Sequence, residues 1–235
     1  MPFRFRRFQV EDSRSTMKVG TDAMLLGSWI DPRISSSILD VGTGCGVMAL
    51  MMAQVSNAQV DAIDIHLPSV EEAKKNISRS PWAERINVFH RPVEEHSRLA
   101  GKLYDLIISN PPFFSNSLKP SSARKLIAKH EQALSLGTLL DSSLKLMHPG
   151  SSFCLILPVR EGKLFISMTK NSGLYPVRIL MVRPLPSKTH NRMLIEFSFR
   201  KKIQVIEDEL IIRTDVNVYS KEYLFMTQQF HYFHR

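Results

Sequence analysis

Apolar positions in the first two thirds of the chain fall into short continuous runs that alternate with stretches of helical periodicity. Ile38-Leu39-Asp40-Val41 predicts a short buried strand, and Gly46 to Val55 has helical composition. Gln59 to Ile65 reads as a second strand. Pro68 to Ser78 follows as a helix with Val70, Ala73 and Ile77 on one face. Pro68 suits its first turn, where the missing N–H is no loss. Ile86 to Phe89 and Leu103 to Ser109 are further strands, the latter ended by Pro111-Pro112. Leu136, Leu139, Leu140, Leu144 and Met147 line one face of a helix that His148-Pro149-Gly150 stops. A fifth strand, Phe153 to Leu157, and a helix from Lys163 to Ser172 complete the series. Strand runs without polar alternation, spaced by helices, predict an α/β fold: a doubly wound, mostly parallel sheet covered on both faces.

The pattern changes after residue 175. Val177 to Val182 and Met193 to Phe199 are strands with no helix between them, which predicts an antiparallel edge hairpin with a long, basic, proline-rich loop. Ile203 to Ile206 and Leu210 to Ile212, split by Glu207-Asp208-Glu209, read as one more small hairpin. The Phe/Arg alternation of Phe3, Arg4, Phe5 and Arg6 favours an edge strand in an N-terminal cap. One domain over residues 1–235 is therefore expected, divided into a cap (1–37), a core (38–200) and a C-terminal extension (201–235).

Composition narrows the setting. The 235 residues are 43% hydrophobic and 23% charged, enough apolar surface for one buried core. No run approaches the length of a membrane helix, and the basic N-terminus lacks the apolar stretch of a secretory signal. Cys45 and Cys154 lie far apart with no zinc-type spacing, which fits a reduced, cytoplasmic setting. His231 and His234 have no acidic or thiol neighbour, so no metal is expected, and nothing marks an obligate protein partner. Thirty-one Lys and Arg against 22 Asp and Glu give a net charge of +9, a balance that points to a polyanion.

The chemistry gathers at the strand ends. Asp40-Val41-Gly42-Thr43-Gly44-Cys45-Gly46 joins the first strand to a helix. Glycines there allow tight turning and close backbone approach, and the helix start offers free N–H groups to an anionic group. A dinucleotide-binding loop would need glycine where Val47 stands. About 20 residues on, the second strand ends in Asp64, a carboxylate suited to ribose hydroxyls.

This constellation resembles the class I S-adenosylmethionine-dependent methyltransferases, whose sheet is Rossmann-like. The resemblance implies that Asp40, Gly42, Gly44 and Gly46 cradle the methionine part of the cofactor, with Asp64 and Ile65 at the ribose. One position departs from the family: where a carboxylate often stands near the cofactor adenine, the stretch here is His90-Arg91-Pro92-Val93-Glu94-Glu95, with Glu94 or Glu95 as the stand-in. Asn110-Pro111-Pro112-Phe113 resembles the motif of amino-methyltransferases acting on adenine N6, guanine N2 or protein glutamine. Such nitrogens have delocalised lone pairs. Acceptors from Asn110 and Pro111 would hold the N–H groups and aim the electrons at the sulfonium methyl, and Phe113 would stack on the base. The expected catalytic set is Asn110, Pro111, Pro112 and Phe113.

Met17 to Trp29, with Phe3 to Phe8, Ala123 to His130 and Tyr219 to Tyr223, is similar to the bacterial tRNA (adenine-N6)-methyltransferases, which modify the adenine beside the anticodon of a valine tRNA. That resemblance implies contacts to the cofactor from Lys18, Thr21 and Asp22, and a tRNA partner. Arg4, Arg6, Arg7, Arg124, Lys125, Lys188 and Arg192 are the expected RNA-binding residues. Methylation of ribosomal RNA guanine N2 or of a protein glutamine, and an inactive RNA-binding relative, are the competing readings.

Overall fold

The computed structural model describes residues 2–112 and 134–231. The cap begins with the two-residue strands β1 (Phe3–Arg4) and β2 (Gln9–Val10), paired antiparallel. The expected edge strand is this short because Phe5 and Phe8 turn inward. Their rings stack at 4.3 Å, and Phe8 meets the Trp82 edge at 5.9 Å. Phe5 also bridges to His231, so the two ends of the described chain meet. Helix α1 (Thr21–Trp29) follows, with Ala23 to Gly27 buried.

The five apolar runs of the core are parallel strands: β3 (Ser37–Val41), β4 (Gln59–Asp64), β5 (Ile86–His90), β6 (Tyr104–Ser109) and β7 (Met147–Leu157). Their crossovers carry α2 (Val47–Val55), α3 (Leu67–Ser78), α4 (Val93–Leu99) and α5 (Leu136–Leu146). Helix α6 (Val159–Met168) starts right after Pro158, four residues earlier than its periodicity suggested. β7 begins at once after α5, so His148-Pro149-Gly150 lie within the strand's opening stretch. A register shift opposite Tyr104 and Leu106 absorbs them.

Then come β8 (Tyr175–Arg183), β9 (Arg192–Ser198) and β10 (Ile206–Ile211), giving the sheet order β10-β8-β9-β7-β6-β3-β4-β5. The hairpin of β8 and β9 is antiparallel as expected, but β10 lies outside it and forms the edge. The expected second hairpin across Glu207-Asp208-Glu209 is instead this single strand, parallel to β8. Its acidic residues are exposed, which an edge strand permits and which discourages pairing with other chains. A small hairpin does follow, from β11 (Arg213–Asp215) and β12 (Val218–Tyr219), before α7 (Lys221–Thr227).

Alternation across the pleat sorts the core into two layers. Ile38, Ile108 and Cys154 face α1 and α2. Leu39, Ile107 and Phe153 face the other way, where Phe153, Phe165 and Phe197 pack with ring centroids 5.5 to 6.3 Å apart. Each fully buried large side chain contributes roughly 1.5–3 kcal/mol. No helix among the described residues is long and apolar enough to cross a membrane. The strand order turns back between β3 and β6, which have neighbours on opposite sides. A crevice opens beyond the carboxyl ends at such a point.

Candidate active site

Two loops leave the sheet at that crevice. After β3, Gly42, Gly44 and Gly46 hold φ values of +75°, +56° and +84°, conformations that side chains resist. A Cβ at Gly42 or Gly44 would meet nothing within 4 Å, so open space lies in front of both. Gly46 differs. A Cβ there would stand 3.3 Å from that of Ala73, so this glycine lets α3 pack against the loop.

Asp40 is fully buried behind the loop. Its Oδ2 accepts from Thr43 Oγ1 at 2.6 Å and Ala49 N at 3.1 Å, while Oδ1 has no partner among the described residues. Burial raises its pKa to about 7, against the lowering effect of those hydrogen bonds. Asp64 ends β4 and fixes the loop from the other side, accepting from Gly44 N at 2.9 Å and His66 N at 2.8 Å. A carboxylate has about four acceptor sites, so two remain. Ile65 beside it is 47% exposed, large for an apolar side chain at a strand end.

After β6, Ser109 Oγ donates to Val41 O at 2.9 Å and ties the two strand ends together. Asn110 is thereby held next to the glycine loop. It is 8% exposed, and its Oδ1 is buried with no partner among the described residues. Pro111 is buried and Pro112 exposed. Phe113, Arg124 and Lys125 lie outside the described residues.

Thus the structure brings Asp40, Gly42, Gly44, Asp64 and Asn110 to one crevice. Two buried oxygens with no partner among the described residues and an open glycine cradle fit a ligand that carries both hydrogen-bond donors and an anionic group. Glu94 sits in the exposed first turn of α4, past the end of β5. Thr21 opens α1 and is exposed. Lys18 binds Asp12 through the latter's carbonyl and carboxylate. Asp22 and Arg192, expected to serve different ligands, pair with each other at 2.8 Å. Lys188 is exposed in the β8–β9 loop on this edge.

Arg4, Arg6 and Arg7 are elsewhere. Residues 11–16 run along α3 from Asn76 back to Ser69, climbing toward the crevice, so the N-terminal arginines lie at the opposite end of the sheet. There Arg6 donates to Gln228 O at 2.8 Å, and Arg7 lies over the Trp82 ring.

Sequence reasoning missed what holds the cap down. Glu72, 3% exposed, accepts from Ser13 Oγ, Arg14 N, Ser15 N and Ser15 Oγ at 2.7 to 3.1 Å. Burial pushes its carboxyl up, but these hydrogen bonds outweigh that and leave it below the ordinary value. Asn76 donates to both Glu11 O and Cys45 O, joining cap, α3 and glycine loop. The available signal was a polar row, Ser69, Glu72 and Asn76, beside the apolar row of α3.

Comparison with known proteins agrees with this geometry. The methyltransferase small domain model matches residues 13–140. A relative from Trichodesmium erythraeum is 36% identical over 232 residues, and one from Parabacteroides distasonis is 38% identical over 229. Each match covers 97% of both chains, and both relatives are named tRNA1(Val) (adenine(37)-N6)-methyltransferase. A solved structure from Agrobacterium tumefaciens, described as a predicted O-methyltransferase, superposes with a TM-score of 0.68. It is 20% identical and covers 89% of this chain and 96% of its own, a likeness of fold.

Proposed function

The chain belongs to the tRNA1(Val) (adenine(37)-N6)-methyltransferase family, and from that premise we propose that it methylates the N6 amino group of adenine 37 in a valine tRNA, with S-adenosylmethionine as methyl donor. Such a substrate sets its place of work in the cytoplasm. The observation that carries the reading is Asn110 Oδ1, buried at the end of β6 beside the glycine loop with no partner among the described residues. A buried acceptor left unpaired costs about 1–3 kcal/mol, which a substrate N–H would recover.

When bound, the cofactor supplies an electrophilic methyl group on a sulfonium. The chain's own groups do the rest. The open faces of Gly42 and Gly44 admit the cofactor's amino-acid end, and the free acceptor sites of Asp64 take the ribose hydroxyls. Asn110 Oδ1 and the Pro111 carbonyl accept the two N–H bonds of the adenine amine and turn its lone pair toward the methyl group. Positive charge would pass from the sulfonium to that nitrogen as the N–C bond forms and the S–CH3 bond breaks, leaving a neutral thioether, and the same two acceptors would stabilise it. The methylated nitrogen becomes acidic and loses its proton readily, so no strong base is required. Positioning supplies most of the acceleration.

The test is nucleoside mass spectrometry of unmodified valine tRNA after incubation with the protein and S-adenosylmethionine. The expected product is N6-methyladenosine, absent from a transcript with guanine in place of adenine 37. N2-methylguanosine in ribosomal RNA, or methylglutamine in protein, with tRNA untouched, would overturn the proposal.

A further inference from the structure

A cavity of about 710 Å³ lies at the far end of the sheet from the glycine loop, where α1, α2 and α7 end. Strand β3 alone separates the two ends by its five residues, roughly 16 Å. Arg6, Arg7 and Arg33 line the cavity together with Trp29, Gln54 and Ser28. Among the described residues three guanidinium groups stand against a single carboxylate, Asp31, which Arg33 already holds through Nε and Nη2 at 2.7 and 2.6 Å.

Helix carboxyl ends carry partial negative charge, which opposes an anion. Here each of the three ends is met by an arginine. Arg178 donates to Trp29 O at 3.2 Å, Arg85 to Ala53 O at 2.6 Å, and Arg6 to Gln228 O at 2.8 Å. Arg7 has no such duty, and Arg33 Nη1 is not used by Asp31. The opposite wall has the opposite need. Gln54 Nε2 donates to Gln229 O at 2.9 Å, which orients the amide and leaves Oε1 buried with no donor among the described residues. Ser28 Oγ is likewise buried without a partner. An occupant that satisfies both walls carries an anion at one end and N–H groups at the other.

We propose that this cavity is a second nucleotide-binding site, with the phosphate at Arg7 and Arg33 and the base edge at Gln54 and Ser28 beside Trp29. The nucleotide belongs either to the RNA whose adenine is methylated, an arm that rests on the function proposed above, or to the free pool. Its volume accommodates one nucleotide, and its distance from Asn110 means that it holds a different one from the nucleotide undergoing reaction.

Both tryptophans of the chain report on the site, since Trp29 lines it and Trp82 lies 5.6 Å beneath the Arg7 guanidinium. Fluorescence of full-length Trp82→Phe protein is titrated with adenosine monophosphate and with an unmodified anticodon stem-loop RNA. Saturating S-adenosylhomocysteine is present throughout to fill the glycine-loop site. The expected result is saturable quenching of Trp29, weakened about tenfold or more by Arg33→Glu or Arg7→Glu, since each removes a charge-assisted contact. If the RNA quenches and the same variants raise KM for tRNA at constant kcat, the nucleotide belongs to the RNA. Quenching by the mononucleotide with KM for tRNA unmoved assigns it to the free pool. No quenching by either probe, or quenching indifferent to both arginines, overturns the proposal. The titration needs no methyl transfer, so its outcome stays separate from failure of the tRNA reading.

Discussion

Asp40→Asn tests whether the glycine loop rests on a carboxyl that is half-neutral near pH 7. The folded value is about 7 against an ordinary 3.8, a rise of about three units. At about 1.4 kcal/mol per unit this amounts to about 4 kcal/mol. Because the folded value is raised, the native state holds the proton more tightly than the unfolded chain. Stability from this group is full below about pH 4, falls as pH rises toward 7, and is level beyond that. Other groups titrate with different signs or windows. Glu11, Asp31, Asp61, Glu72 and Asp105 lie below their ordinary values, through hydrogen bonds that for Asp61, Glu72 and Asp105 outweigh a burial penalty. Their contributions fade only in acid. Burial lowers His96, which makes stability rise with pH through its range.

The difference between wild type and Asp40→Asn cancels these shared terms. The amide side chain keeps an acceptor for Thr43 Oγ1 and Ala49 N and places N–H donors where Oδ1 lacks a partner, a pH-independent cost of about 1–3 kcal/mol. Urea unfolding from about pH 4.5 to 8.5 measures the gap. It should move by about 3 kcal/mol in the variant's favour between about pH 4.5 and 7, the rest of the roughly 4 kcal/mol lying below that range, and then level off. Parallel curves for the two proteins across that range would refute the reasoning.

Asn110→Ala should lower single-turnover methylation of tRNA by about 10²–10³-fold while leaving cofactor affinity nearly unchanged, as expected for an acceptor that acts on developing charge; an unchanged rate would reduce the segment to a turn. Glu72→Ala strips four hydrogen bonds from residues 13–15, so stability should drop by about 3 kcal/mol. Amide exchange at Arg14 and Ser15 should speed up well beyond the rest of the sheet, and uniform exchange would contradict the anchoring role. The native Glu72 contribution is present above pH 4.5 and is lost as pH falls through its lowered folded value. Binding of tRNA should weaken steeply with salt, with a log–log slope of about −0.7 to −0.9 per neutralised phosphate, and a flat response would argue against RNA.

The parallel core was legible because strands buried on both faces read as near-continuous apolar runs, as Leu106-Ile107-Ile108 does. The glycine loop was legible for a local reason: positive φ at residues 42, 44 and 46 selects glycine at fixed spacing. Strand β10 was not, because an edge strand needs only one inward residue. Leu210 is buried while Glu207, Asp208 and Glu209 face solvent, and three acids in a row read as a turn. The anchor at Glu72 was hidden for another reason. It bonds backbone groups 57 and 58 residues away, and hydrogen bonds to main chain impose no residue type on the partner. That anchor also decides where the charge goes. Pinned along α3, the cap holds Lys18 against Asp12 and leaves Arg6 and Arg7 at the far end, with Arg33. If the tRNA proposed above fills both the crevice and the far-end cavity, it has to reach round the sheet, which a folded RNA does and a peptide glutamine does not.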